Sequence, residues 1–466
     1  MDLDRAAARS VLGRIGRGIG GQSFLRASVF MYQFAVVPIY IAAWGLGVYG
    51  QWLTITAIAA FISFGDFGLT TAASVEVMRA AGTGDHRRAQ DVFGSSMAMI
   101  ALVMLPIFVC LTGAFLILSV SIRPGTASMP PTTSTAIFVA TELQFLINLA
   151  RGMYATAIVA TGRYGLTNLI SGTVRMVELM MVAIGVAVLH GPPLLVAGIL
   201  TTTALLDLGA HIWCSRRLAP WATCKRFTLD LSLARRLAAP SLGNALLNIG
   251  VNGLTVQGPR LILSAMLGPA SVAIYSVFVT AIRTIDTING MMAAVMQAEF
   301  ARRAASDGRQ KTWQLVLAGG RLSFFGYLLM SAGILLAGPG LFGLWTHGTI
   351  PFRYALALPL LVGTLFTQIA KLPMSYLMGM NAVLSPAIGV LIGTAVGLSI
   401  GGSLLMLLGL PGMATGYAIG EAIGMVVVLR TVGRDFGRSA AILARSQMNV
   451  APLLRQAGAI IRLRTA

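Results

Sequence analysis

Apolar positions in this chain do not alternate with polar ones. They run almost unbroken for about 20 residues at a time, the length a helix needs to cross a bilayer. A membrane barrel strand would alternate every second residue, and none of these runs does. In hydrocarbon a helix satisfies its own N–H and C=O groups within the segment, so each run is expected to be helical. The pattern predicts twelve spans, at 24–45, 50–75, 93–120, 135–160, 165–188, 193–214, 238–259, 270–298, 313–337, 350–370, 382–408 and 411–429. The breaks between them carry residues that remove donors or permit unusual dihedrals. "SIRPGTASMPPTTST" (121–135) follows the third span and "HGPP" (190–193) divides the fifth from the sixth. "AGPG" (337–340) is expected to close the ninth, and "GLPG" (409–412) to form a short turn between the last two.

Composition agrees with this pattern. Hydrophobic residues make up 56% of the 466 positions and charged residues 11%, where a soluble domain carries about 25% charged. The expected class is an all-α integral membrane protein. The N-terminal stretch has acids at Asp2 and Asp4 and no small-residue cleavage site, so a cleaved signal peptide is not expected.

Net charge of +19 changes meaning once the spans are drawn. With the N-terminus inside, and with Arg26 and Arg353, each within four residues of a span end, assigned to the adjoining side, 27 of the 34 Lys and Arg fall on the cytoplasmic side, three outside and four deeper within spans. That asymmetry is the positive-inside pattern. It predicts both termini in the cytoplasm and contact with anionic lipids, and it removes the need to invoke nucleic acid. The basic tail "SQMNVAPLLRQAGAIIRLRTA" is either an amphipathic surface helix or a charged end.

The two halves also resemble each other. "LGVYGQWLTITAIAAFISFGDFGLTTAASVEVMRAAGTGDHRRAQ" from Leu46 matches "LGPASVAIYSVFVTAIRTIDTINGMMAAVMQAEFARRAASDGRQK" from Leu267 in outline. Each begins Leu-Gly, places a tyrosine (Tyr49, Tyr275), and ends in an acid, arginine and a Gly/Asp turn. The expected organisation is a six-helix bundle over 1–214, a basic cytoplasmic loop over 215–237, a second bundle over 238–430 and a basic tail over 431–466. Repeats of this kind place substrate near mid-membrane and move it by rocking one bundle against the other.

Candidate chemistry lies in the charges inside spans, which usually face a bundle interior or a wet cavity. Arg175 and Glu178 stand three apart in the fifth span, and Arg283 and Asp286 repeat the spacing in the eighth. Residues three apart share a helix face, so each pair can lower the cost of its own burial. Glu142 and Arg151 share a face of the fourth span without touching. Arg321 lies about two turns into the ninth span, within snorkelling reach of the cytoplasm. Arg260 follows "VQGP" at the outer end of the seventh. These eight are the candidate substrate-binding residues, with the guanidinium fork of Arg283 suited to an anion and Asp286 orienting it. Asp66, between Gly65 and Gly68, and Asp207 in the sixth span are the candidate ion-coupling groups. Lys371 and Glu421 stand nearer span ends and rank lower.

Other chemistries lack their residues. Cys110, Cys214 and Cys224 have no metal-ligand spacing, and the four histidines assemble no recognisable site, so no metal and no cofactor is expected. Neither a nucleophile elbow nor a phosphate-binding Gly-Lys-Ser/Thr motif occurs. The chain is not expected to be an enzyme.

Three segments carry a family resemblance: "ISFGDFGLTTAASVEVMRAAGTGD" (62–85), "GRYGLTNLISGTVRMVE" (162–178) and "MQAEFARRAASDG" (296–308). With the twelve spans they resemble the polysaccharide flippases of the O-antigen translocase kind. That group lies in the multidrug/oligosaccharidyl-lipid/polysaccharide exporter superfamily. Family members often place Pro before the acid of the third segment, where this chain has Ala298 before Glu299. The resemblance implies a MATE-like fold and a bacterial inner-membrane location. It also implies that the substrate and partner is a polyprenyl-pyrophosphate-linked oligosaccharide moved by alternating access. Polymerase and chain-length proteins of the same pathway are the further partners it implies, with the transporter itself a monomer. Three other functions fit the same pattern. One is an ion-coupled multidrug or small-molecule antiporter of the same superfamily. The others are a lipid II flippase, whose relatives usually have fourteen spans, and a non-transporting assembly scaffold.

Overall fold

The computed structural model describes residues 2–66, 68–121, 128–223, 242, 243, 245–304, 309–380 and 382–449. Among them every regular element is helical. The first helix, α1 (Asp2–Ala60), contains the first expected span and the start of the second. The two are separated at Gly45, whose φ of 73° is open to a residue without a Cβ. A short 3-10 segment (Phe61–Asp66) then breaks the second span, which resumes as α2 (Leu69–Gly82). There follow α3 (His86–Ser121), α4 (Pro131–Ala160), α5 (Tyr164–Val182) and α6 (Pro193–Leu218). A π-helical segment, Ala183–Val188, ends the fifth span. Prolines open α4 and α6, where a missing N–H costs nothing.

The second half continues with a π-helical stretch, Ile249–Gln257, and α7 (Gly258–Leu267). Then come α8 (Pro269–Ala304), α9 (Arg309–Trp345), α10 (Tyr354–Gly379), α11 (Leu384–Leu408), α12 (Leu410–Phe436) and α13 (Ala440–Met448). Nine helices among the described residues are long and apolar enough to cross a membrane, the first of them containing one expected span and most of the next. The protein is an all-α, multi-pass membrane protein.

Two expected boundaries move. "AGPG" does not end a helix, because α9 runs through Pro339 to Trp345. Inside a membrane bundle, neighbours can satisfy the carbonyl a proline leaves free. The tenth span does not stop before Lys371, because α10 continues to Gly379. Lys371 is therefore a helix residue, not a loop residue. The Gly-Leu-Pro-Gly turn is as short as expected: Gly409 alone, with φ 63°, joins α11 to α12. The Pro/Ser/Thr loop at 122–127, the basic segment 224–237 and the tail from 450 lie outside the described residues.

The chain forms two compact units, Met1–Ala245 with Arg260–Ile274, and Leu246–Pro259 with Tyr275–Ala466. The core of the first gathers Ile62, Phe93, Met104 and Met153 from the broken second span, α3 and α4. In the second, Phe300, Trp313, Leu372, Val432 and Leu443 draw α8, α9, α10, α12 and α13 together.

Glycine, not bulk, fixes the closest helix pair of the second unit. Gly393, Gly397 and Gly401 on α11 face Gly412, Gly416 and Gly420 on α12, each series spaced by four. A Cβ on Gly397 would stand 2.5 Å from the Gly416 carbonyl oxygen and 2.7 Å from Gly420 Cα. Lipid tails give apolar helices no reason to associate, so close backbone approach between small residues supplies the packing energy instead.

A polar cavity and a charge cluster as candidate functional sites

Unit 1 holds an open cavity of about 370 Å³ whose walls come from α1, α4, α5 and α6. Four of the expected charges meet there: Arg151, Arg175, Glu178 and Asp207. Arg175 pairs with Glu178 as the three-residue spacing predicts, and its guanidinium also lies 5.0 Å from the centroid of the Tyr32 ring. The other carboxylate oxygen of Glu178 accepts from Thr203 Oγ1 at 2.9 Å. This side chain is therefore held from both α5 and α6.

Asp207 has more partners than the sequence indicates. Ser171 Oγ donates to its two oxygens at 3.1 and 3.3 Å. Arg151 Nε stands 3.5 Å from Oδ2, and Arg151 Nη1 donates to Ser171 at 3.2 Å. His211, one turn along α6 and fully buried, places Nδ1 3.1 Å from Oδ1 and 2.8 Å from the Asp207 carbonyl oxygen. Three helices thus converge on one carboxylate. Asp207 and His211 stand four apart, and that spacing was the available signal for the histidine. The residues Ser171, Asn168 and Thr203 carry no comparable signal, because isolated polar residues occur in many membrane helices.

Glu142 does not join this cavity. It is fully buried and accepts from Thr112 Oγ1 of α3 at 2.6 Å. Asp66 also lies elsewhere: it caps α2, accepting from Thr70 N at 3.2 Å and Thr70 Oγ1 at 2.7 Å. Those bonds satisfy an orphan donor at the helix start created by the break in the second span. Arg260 sits half-buried on α7 and lines neither this cavity nor that of the second unit.

Unit 2 holds a smaller cavity of about 90 Å³, lined by Arg283, Asp286, Thr367, Tyr417 and Glu421 among others. Arg283 and Asp286 share it, and the carboxylate of Asp286 is also held from α10. Lys371 Nζ forms an ion pair with Asp286 Oδ1 and donates to the Asp286 carbonyl oxygen at 2.9 Å. Gln368 Nε2 donates to the same Oδ1 at 2.7 Å. Glu421 accepts from Thr367 Oγ1 at 2.8 Å. Lys371 and Glu421, the weaker candidates by their position in the expected spans, thus both take part here, one as the ion-pair partner of Asp286 and the other in the cavity lining. Arg321 lies apart from this group: its Nε donates to the carbonyl oxygen of Ser446 at 2.8 Å and so ties down the end of α13. Among the described residues, no group of three or more His, Cys, Asp or Glu could hold a metal.

No family model matches this chain, and no curated protein is similar to it in sequence. Solved structures do share its fold. An inward-facing multidrug resistance MATE family transporter of the MOP superfamily superposes with a TM-score of 0.65 at 18% identity, over 89% of this chain and 94% of that one. The lipid II flippase MurJ, in an inward closed conformation, gives 0.65 at 12% identity, over 92% and 90%. A MATE in complex with MaL6 gives 0.59 at 15% identity, over 90% and 96%. The expected MATE-like, multi-pass transporter fold is therefore present, and it is not specific to O-antigen flippases. The expected partner needs correction. Ligand-bound structures that share this fold include MATE proteins in complex with MaL6, MaD3S and MaD5, and these ligands are not a polyprenyl-linked oligosaccharide.

Proposed function

We propose that this protein is an ion-coupled, alternating-access antiporter of small organic molecules in a bacterial cytoplasmic membrane. The cavity of unit 1 is its ligand chamber and Asp207 its coupling group. The observation that carries this reading is a roomy polar cavity, about 370 Å³, within a chain that has the fold of MATE transporters. A cavity of that size accommodates a small molecule. Charged residues at membrane depth are costly to keep and usually line a transport path.

The chemistry of coupling follows from the sharing of one carboxylate. Asp207 is held by Ser171, Arg151 and His211 together. A proton or cation taken up by that carboxylate weakens its attraction for Arg151. The guanidinium is then freer to engage a ligand, and the helices bearing the two groups, α4 and α6, lose a tie. Ion binding and ligand binding thus change the same contact, which is the differential interaction a two-state transporter needs.

Reconstitution into proteoliposomes tests this. Ethidium serves as a cationic probe and fluorescein as an anionic one, with a pH or sodium gradient imposed. Gradient-driven movement of at least one probe is expected, with coupling lost in Asp207→Asn. Equal gradient response in wild type and Asp207→Asn would remove Asp207 from the mechanism, and no gradient-driven movement of either probe would refute the antiporter.

A further inference from the structure

Two residues that line the unit 1 cavity, Arg151 and Asn168, each carry a buried donor with no hydrogen-bond partner among the described residues. Asn168, which is 8% exposed, lines the cavity, and its Nδ2 has no hydrogen-bond partner among the described residues. Arg151 Nε is likewise buried without an acceptor, its 3.5 Å approach to Asp207 not forming a hydrogen bond. The acceptors are in the opposite condition. Asp207 is engaged by Ser171, Arg151 and His211, and Glu178 by Arg175 and Thr203. Unmatched buried donors are costly, and a group that supplies acceptors recovers that cost. A cationic ligand would find both carboxylates already occupied.

We infer that the cavity binds its ligand through a carboxylate or similar oxyanion, held by Arg151 and Asn168, and that Asp207 is the internal carboxylate this oxyanion displaces. The inference rests on the cavity being a ligand chamber, as proposed above. The arginine fork suits a carboxylate, since two parallel N–H groups meet two oxygens. Displacement does not strand Asp207, because His211 Nδ1 and Ser171 Oγ remain on it. His211 is therefore a positioning residue: it receives Asp207 when the ligand takes Arg151. Nothing covalent changes in this exchange, and one oxyanion replaces another on the same guanidinium.

Three probes matched in size separate the possibilities: benzoate, benzylammonium and benzyl alcohol. Their binding to the purified full-length protein is measured by calorimetry with no ion gradient. Benzoate is expected to bind more tightly than either of the others. Arg151→Gln is expected to weaken it about tenfold or more, the scale of one charge-assisted hydrogen bond. Arg151→Lys should recover part of the loss, and Asn168→Ala should cost severalfold. Asp207→Asn carries the decisive sign: removing the internal competitor should tighten benzoate binding, which a misfolded variant could not do. His211→Gln should shift the affinity for benzoate without changing its preference over benzyl alcohol. Preference for benzylammonium, absence of benzoate binding, or weaker benzoate binding in Asp207→Asn each overturns the inference. Because no gradient is involved, benzoate binding that behaves as expected in a protein that fails to transport would refute the antiporter alone.

Discussion

Lys371 and Asp286 show how a membrane-depth charge is kept. The sequence offers Asp286 one partner, Arg283, three positions away, and the structure adds Lys371 and Gln368 from another helix. Breaking a buried ion pair leaves its partner uncompensated. Lys371→Met is expected to cost about 3 kcal/mol, the lower end for a buried pair, because the side chain of Asp286 is 28% exposed. Thermal unfolding in detergent measures this, and the double variant Lys371→Met/Asp286→Asn should recover most of the loss. A double variant no more stable than Lys371→Met would mean that the ion pair is not what the single change removed. Asp66 illustrates the opposite outcome, a charge whose visible work is local. Asp66→Ala should cost about 1 kcal/mol, the usual value of a helix cap, while Asp66→Asn should retain most of it through the remaining acceptor oxygen. If Asp66→Asn preserved stability but abolished ion-driven transport, the carboxylate would have a coupling role beyond its cap.

The elements depend on which residues may be large. On α11 and α12 the glycines allow two backbones to touch, so Gly397→Leu should prevent folding or reduce the yield of folded protein severely. Gly198 on α6 is the internal comparison: it is exposed and has open space around it. Gly198→Ala should be neutral or stabilise by up to about 1 kcal/mol through helix propensity. Equal loss of folded protein in both variants would refute the close-packing account. At the other end of unit 2, α13 is tied to α9 by Arg321 and buries Leu443. Arg321→Ala should speed amide hydrogen exchange in α13 about tenfold, on the scale of a charged hydrogen bond. Unchanged exchange would make Leu443 and its apolar neighbours the real anchor. The four-residue glycine spacing stands in the sequence, but only the structure shows which helix it faces. The docking of α13 was not legible in the sequence, because nine residues of mixed polarity are too short to read as a span.

At the scale of the whole molecule, alternating access requires the unit 1 cavity to open to one side at a time. Asn148 lines it, so Asn148→Cys, in a background with Cys110, Cys214 and Cys224 removed, reports its exposure. Labelling by a membrane-impermeant thiol reagent should come from one side under a given gradient and from the other when the gradient is reversed. Equal labelling from both sides would describe an open pore and exclude alternating access. The sequence by itself determined the class of the molecule and the course of its chain. Unbroken apolar runs must become helices in lipid, and glycine or proline breaks must fall between most of them. It also determined which charges are expensive enough to be noticed. Tertiary structure decided the partners of those charges. Arg151 met Asp207 from 56 positions away, since 207 − 151 = 56, and Lys371 reached Asp286 across two helices of unit 2. Helical spacing fixes only neighbours on one face, whereas a buried charge is satisfied by whichever helix packing brings alongside it.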